Sequence, residues 1–398
     1  MSSQDVIELG RKLERFFRND PRFRFIRNFP SGATGKLSCF EETIAAGRTR
    51  KIVLKYPADD EEETIGGVKN EIKWLGVLKH AKHVVDVLSI RDGPNAGLTG
   101  LDRVFIILEH LENGSLYQFL RRTSNIVLPN RILWSLFLCL TRASVAMAWP
   151  PEEGREEEPK PNVAPLALSH WDMHDENMLF GSLRDRDEHV FVPILKLIDF
   201  DNSALVTFEE RPSRAALRDF DGELQLQIYR RPQSVRNMGI NANVLDIGLN
   251  MARIIVRDRQ LSHDQAQDAI RNESLPLGND LRLLVTRCLA ADPANRPALD
   301  ELLETTRNAV VSRTYNNTAR ETDERKREAR EGIFLSSGYM GKAAWKSHSA
   351  VKLIHTKNQS TLGLDSIANL TFPPTSAVFA TGPPRVVHAS LPPDTENK

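Results

Sequence analysis

Between residues 168 and 180 the chain reads LSHWDMHDENMLF, which sets two histidines, three acids and an asparagine among apolar residues. Polar groups carried into a fold are costly unless each finds a partner or a task. His170, Asp172 and Asn177 stand in the spacing H-x-D-x-x-x-x-N, and about twenty residues on, ILKLIDFDN runs an apolar strand into Asp199-Phe200-Asp201. A carboxylate at the end of such a strand is well placed for a hard cation. Mg²⁺ takes one or two carboxylates together with phosphate oxygens rather than an all-protein cage. Asn177 adds a neutral oxygen, which leaves Asp172 to orient an attacking hydroxyl.

These residues need elements to hold them. Residues 1 to 18 read as a short amphipathic helix, and FRFIRNF and RKIVLKY, between about 22 and 56, read as strands. Val68, Ile72, Leu75 and Leu78 recur at helical spacing, and RVFIILEHL (103–111) reads as a buried strand. Beyond it GSLYQFLRR, NRILWSLFLCLTRASVAMAW, NVLDIGLNMARIIV and DLRLLVTRCLA read as helices. A strand-rich part followed by a helix-rich part is an α+β pattern, with a cleft expected between two lobes. The expected divisions are an N-terminal helical extension (1–21), one domain (22–310, lobes 22–110 and 111–310) and a charged linker with a disordered tail (311–398). PEEGREEEPKPN (151–162) reads as an acidic surface loop inserted in the second lobe, and residues 315–331 as a mixed-charge helix or linker.

Composition narrows the class. The 398 residues carry 53 basic and 53 acidic side chains, so no broad positive field points to nucleic acid. Cys39, Cys139 and Cys288 are far apart, which points to reduced structural thiols, and the lack of a C-x-x-C pair argues against a structural zinc site. The first residues lack the apolar run of a secretory signal. The apolar stretch ILWSLFLCL (132–140) is about half a membrane span and reads as a buried helix. A soluble cytoplasmic or nuclear protein that does not engage membrane is expected.

HWDMHDEN (170–177) resembles the catalytic loop of the protein kinase family, and DFD (199–201) stands where that family has D-F-G. IVLKY resembles the strand of the phosphate-binding lysine, here Lys55, with Glu71 on the next helix as its ion-pair partner. FPSGATGKL resembles the glycine-rich loop, with Gly32 and Gly35 in its second and third glycine positions. FIILEHLENGSL resembles the hinge, with Leu108 as gatekeeper and the backbone of Glu109 and Leu111 facing adenine. YRRPQ (229–233), NVLDIG and CLAADPANRP parallel late signatures of the family. The resemblance covers about residues 22 to 310. It implies a bilobal fold that uses ATP and Mg²⁺ to phosphorylate a protein substrate. Lys55, Glu71, Asp172 and His174 would then serve catalysis, and Asn177 and Asp199 the metal. Gly32, Gly35, Leu37, Val53, Lys55, Leu108, Glu109, Leu111 and Leu179 would serve the nucleotide. His170 would brace the phenylalanine of the D-F-G position.

The sequence also departs from the family. Pro30 replaces the first loop glycine, and Asp201 replaces the D-F-G glycine, costing about 1–2 kcal/mol if positive φ is required there. Trp171 stands where many kinases have arginine, so activity is expected not to depend on phosphorylating Ser203, Thr207 or Ser213. His174 takes the place of a lysine near the γ-phosphate. Leu226, Gln233 and Asn243 replace a threonine, an acidic partner of Arg296 and an aspartate that supports the catalytic loop. Two alternatives stay open: a small-molecule kinase of aminoglycoside or choline type, and a pseudokinase scaffold that binds nucleotide.

Overall fold

The computed structural model describes residues 3–29, 35–44, 47–90, 104–183, 188–189, 192–206 and 237–312. All of them belong to a unit spanning Met1–Ala343; a second unit, Ala344–Lys398, lies outside the described residues. Among the described residues the protein is a mixed α/β structure with one four-stranded antiparallel sheet and eight α-helices. This is compatible with the bilobal architecture expected from the sequence.

The sheet runs in the order β1 (Phe23–Asn28), β2 (Gly35–Thr43), β3 (Thr49–Pro57), β4 (Ile106–Glu109). Side chains on β3 alternate between its faces, as a pleated strand requires. Ile52, Leu54 and Tyr56 join Phe40 and Ile107 in one cluster, onto which α1 (Ser3–Asn19) lays Leu13 and Phe17. Phe17 stacks on Phe40 at 4.7 Å and meets Phe23 edge-on at 4.9 Å. Val53 and Lys55 fall on the opposite face, in register with Leu108 and Ile106 of β4. That alternation turns the one basic residue of IVLKY toward the rest of the molecule. Of the strand expected over 103–111, the ladder covers Ile106–Glu109, paired with Ile52–Lys55 of β3, and Arg103 lies outside the described residues.

Helix α2 (Glu62–Val77) buries Ile65, Val68, Glu71, Trp74 and Leu75, a stripe at three- and four-residue steps with one acid inside it. Helix α3 (Leu116–Arg122) opens on a capping box between Ser115 and Gln118. Helix α4 (Asn130–Ala148) is apolar on every side and becomes the centre of the core. It is long and apolar enough to cross a membrane, yet 94% of its apolar window is buried inside the protein. α5 (Met238–Val256) and α8 (Leu299–Ser312) pack on it, and α6 (His263–Arg271) and α7 (Asn279–Cys288) pack on α5. Gly248 of α5 meets Cys288 so closely that a Cβ there would lie 2.7 Å from the Cys288 Cβ.

Two short ribbons complete the described strands. β5 (Leu168–Ser169) pairs with β8 (Ala204–Leu205), and β6 (Met178–Phe180) pairs with β7 (Leu195–Leu197). The acidic insert differs from the expected surface loop. Its glutamates 152, 153 and 156 are exposed, but Glu157 is wholly buried. His83 meets the buried carboxylate, its N–H donating to Glu157 Oε1 at 2.9 Å, while Arg142 of α4 holds the backbone in place, its Nη1 donating to the Glu157 carbonyl at 2.7 Å and to Glu158 Oε1 at 3.0 Å. The segment expected as a charged helix (315–331) and the tail lie outside the described residues.

Candidate active site

Lys55 is 5% exposed, so its ammonium does not reach out to water. Its Nζ lies 2.5 Å from Glu71 Oε2 on α2 and 2.6 Å from Asp199 Oδ1 after β7. Burial alone would depress the lysine pKa, but Glu71 and then Asp199 outweigh it, and the ammonium form is held. Burial pushes Glu71 upward while Lys55 pulls it down, and Asp199 and Asp201 add to the upward push. One cation thus serves two carboxylates. Gly35 on the facing strand makes room for it: a Cβ there would lie 3.0 Å from Lys55 Cε and 3.2 Å from Cγ.

Asn177 and Asp199 come to the same end of the β6–β7 ribbon. Met178 pairs with Leu197, and Ile198 N–H donates to the Asn177 carbonyl at 3.0 Å. The Asn177 amide donates to Asp172 Oδ2 at 2.9 Å and to the Asp172 carbonyl at 3.0 Å. With its NH₂ engaged, Asn177 presents its oxygen as the acceptor. A carboxylate of Asp199 and an amide oxygen of Asn177 form a hard-oxygen donor pair, which fits Mg²⁺ shared with phosphate. Asp199 has φ of 66° and Trp171 of 64°. Left-handed backbone at non-glycine residues is strained and gathers at functional sites. Asp201, by contrast, is not among the positive-φ residues, so the cost expected there does not arise.

His170 is wholly buried and its ring meets Phe200 edge-on at 4.7 Å. Its Nε2 donates to the Ile198 carbonyl at 3.0 Å, and its Nδ1 accepts from Asp172 N–H at 3.3 Å. Burial drives its pKa down to about 4, so the ring is neutral near pH 7. Asp172 is about one-third exposed, and His174 Nε2 lies 3.4 Å from its Oδ1. Burial works against both charges, but their mutual hydrogen bond prevails: His174 is shifted up and Asp172 down.

Of the residues assigned to the nucleotide, Val53 pairs with Leu108 and Leu37 with Lys55 across the ladders. Leu37, Val53 and Leu179 are half-buried, while Leu108 and Leu111 are buried. Leu179 lies on β6, bridged to Ser115. Glu109 donates its N–H to the Asp86 carbonyl at 3.0 Å, and its side chain accepts from Asp86 N–H at 2.8 Å and pairs with Lys196. Gly32, Pro30, Leu226 and Gln233 lie outside the described residues.

Several positioning residues, Asn243 and Trp171 apart, escaped the sequence reading. Asn70 donates to the carbonyls of Asp201 at 2.8 Å and Ser203 at 2.7 Å, and Trp74 Nε1 donates to Ser203 at 2.9 Å. One turn apart on α2, they tie the Glu71 helix to the chain after Asp199. The only sequence signal is polar atoms on an apolar stripe. Asn250 donates to the Met173 carbonyl at 2.6 Å, and Arg259 pairs with Asp175 at 2.8 Å while lying over Tyr117. Asn243 accepts from His170 N–H at 3.2 Å and donates to the Leu168 carbonyl at 2.8 Å, the second bond being one that an aspartate could not make. Trp171 packs on Val206 and Met238.

No family model matches the chain. A probable serine/threonine-protein kinase of Dictyostelium discoideum is 23% identical over 260 residues, 63% of this chain. The relationship is kinase-like. The chain spans about 30% of that relative's length.

Proposed function

We propose that this protein is an ATP- and Mg²⁺-dependent phosphotransferase, a divergent protein kinase that moves the γ-phosphoryl group of ATP to a serine or threonine hydroxyl of a protein substrate. The observation that carries the reading is Lys55 Nζ bridging Glu71 at 2.5 Å and Asp199 at 2.6 Å, three residues 16 and 128 positions apart in sequence. In this reading two lobes meet at that bridge, with the nucleotide beneath Gly32 and Gly35.

Lys55 holds phosphate oxygens, and Glu71 fixes Lys55 so that its charge is aimed before substrate arrives. Asn177 and Asp199 hold the cation, which when bound neutralises charge building on the phosphates. Asp172 accepts the hydrogen bond of the substrate hydroxyl. As the new O–P bond forms and the bond to the departing diphosphate breaks, Asp172 takes the proton and releases it to solvent. His170 keeps Phe200 and the Asp172 backbone in place. The reaction would take place in the cytoplasm or nucleus.

Turnover of ATP with Mg²⁺ against a mixed panel of peptides and hydroxylated metabolites tests the reading. Transfer to serine or threonine peptides that disappears in Asp172→Ala is the expected result. Transfer to metabolites alone points to a small-molecule kinase. Nucleotide binding without transfer to either class points to a scaffold.

A further inference from the structure

A second buried polar cluster lies apart from Lys55. His83 follows α2, Cys139 sits in the middle of α4, and His189 precedes β7; all three are buried. One ligand atom from each lies within 4.8 Å of the others. His83 Nε2 and His189 Nε2 are 3.0 Å apart; Cys139 Sγ lies 4.0 Å from the other ring nitrogen of His189, Nδ1, and only one of the two nitrogens can serve a shared ion. Two nitrogens on one tetrahedral zinc ion stand about 3.4 Å apart, given bonds of about 2.0–2.1 Å.

The cluster has a built support. Glu157 Oε2 faces His83 Nδ1 at 3.2 Å, and Glu157 Oε1 accepts from His83 N–H at 2.9 Å. A carboxylate on Nδ1 leaves the lone pair on Nε2 and is the usual arrangement behind a metal-bound histidine. Arg142, one turn beyond Cys139, donates to the Glu157 carbonyl at 2.7 Å and to Glu188 Oε1, next to His189, at 2.5 Å. Two imidazoles and one thiol are a borderline-to-soft donor set, which suits zinc and not the hard cation expected at Asp199.

We propose that His83, His189 and Cys139 bind a zinc ion that clamps the segment after α2 to the central helix α4, with Glu157 orienting His83 from behind. Loading breaks the Cys139 S–H bond, forms a Zn–S bond and releases one proton to solvent, with no change of oxidation state. The His83 carbonyl accepts from Leu197 N–H at 2.8 Å, two residues ahead of Asp199. The clamp therefore anchors β7, the strand that leads into Asp199, and its existence does not depend on phosphotransfer.

The test uses the full chain, purified without a metal-affinity step. Elemental analysis is expected to find about one zinc per chain, in line with a closed N/S site. Cobalt(II) exchanged for zinc is expected to give a thiolate-to-metal charge-transfer band that Cys39→Ser keeps and Cys139→Ser loses. Chelation is expected to lower the thermal midpoint of wild type. A chain that holds no zinc and takes up none from one added equivalent overturns the proposal and leaves a metal-free hydrogen-bonded chain from Glu157 to Cys139. Selective uptake of cuprous ion with no zinc also overturns it, as does a cobalt band that survives Cys139→Ser. Should Cys139→Ser not fold, the wild-type zinc content and titration decide alone.

Discussion

Two buried polar clusters border the short strand β7. On one side Lys55, Glu71 and Asp199 bring together an ammonium and two carboxylates. On the other, His83, His189 and Cys139 bring together two imidazoles and a thiol, backed by Glu157. Both sit where water does not screen charge, so both need internal partners. The first is a set of full charges open on one edge, with Asp199 about 29% exposed; the second is closed. Open, hard and charged suits turnover of a phosphorylated ligand, whereas closed and soft suits a permanent structural role.

The sharpest way to break this contrast is at Asp172. Asp172→Ala is expected to lower phosphotransfer by about 10²–10⁴-fold, the range for a positioned general base, while nucleotide affinity and thermal stability stay near wild type. A comparable loss of stability would move Asp172 from the reaction to the scaffold. Next comes the charge balance of the first cluster. Lys55→Met leaves buried Glu71 without its cation and is expected to cost about 3–5 kcal/mol in denaturant unfolding, most of it recovered by adding Glu71→Leu. An additive double variant would show that the two residues are not coupled.

A smaller effect concerns pH. The folded-state pKa of His174 is raised by Asp172, so its charge and the stability it lends are present below the unfolded value and are lost as pH rises through the raised one. The rate is therefore expected to fall as pH rises from about 6 to 8, and His174→Lys to flatten that fall. An unchanged profile would remove His174 from the phosphate side. Trp74→Phe removes one hydrogen bond to the Ser203 carbonyl and is expected to cost about 0.5–1.5 kcal/mol, read by thermal unfolding. The smallest effect is expected from alanine at Ser203, Thr207 and Ser213, which should leave the rate nearly unchanged. Ser203 is 1% exposed and bonded to the His170 carbonyl, so it is no surface acceptor, and Trp171 offers apolar contact instead of a phosphate partner.

The Lys55–Glu71 pair was expected from the resemblance of IVLKY and the helix after it to the kinase family, and Asp199 from an acid that ends a buried apolar run; the structure adds the local patterns behind them. Lys55 lies on an alternating strand, Glu71 interrupts an apolar helical stripe, and Asp199 ends a buried run; each pattern spans fewer than a dozen residues. The departures were legible as substitutions but not in their consequences. Positive φ falls on Asp199 and Trp171, not on Asp201, and Asn243 uses its extra donor. Those outcomes depend on neighbours distant in sequence. The second cluster was not legible at all. The absence of a C-x-x-C pair pointed away from zinc, but that rule covers only ligands supplied by one loop, and these come from positions 83, 139 and 189. The burial of Glu157 was hidden in the same way, by an acidic run whose one wholly buried member is met by His83, distant in sequence.

By itself the sequence determined the elements, the alternation that turns Lys55 inward, and the chemistry of each side chain, because hydrophobic period and residue type are local properties. Tertiary structure alone decided which side chains meet. Whether Asp199 faces Lys55, whether Asn70 reaches the Ser203 carbonyl and whether two histidines close on a cysteine all depend on how separate segments pack. Packing joins residues by distance in space, and no local pattern records that distance.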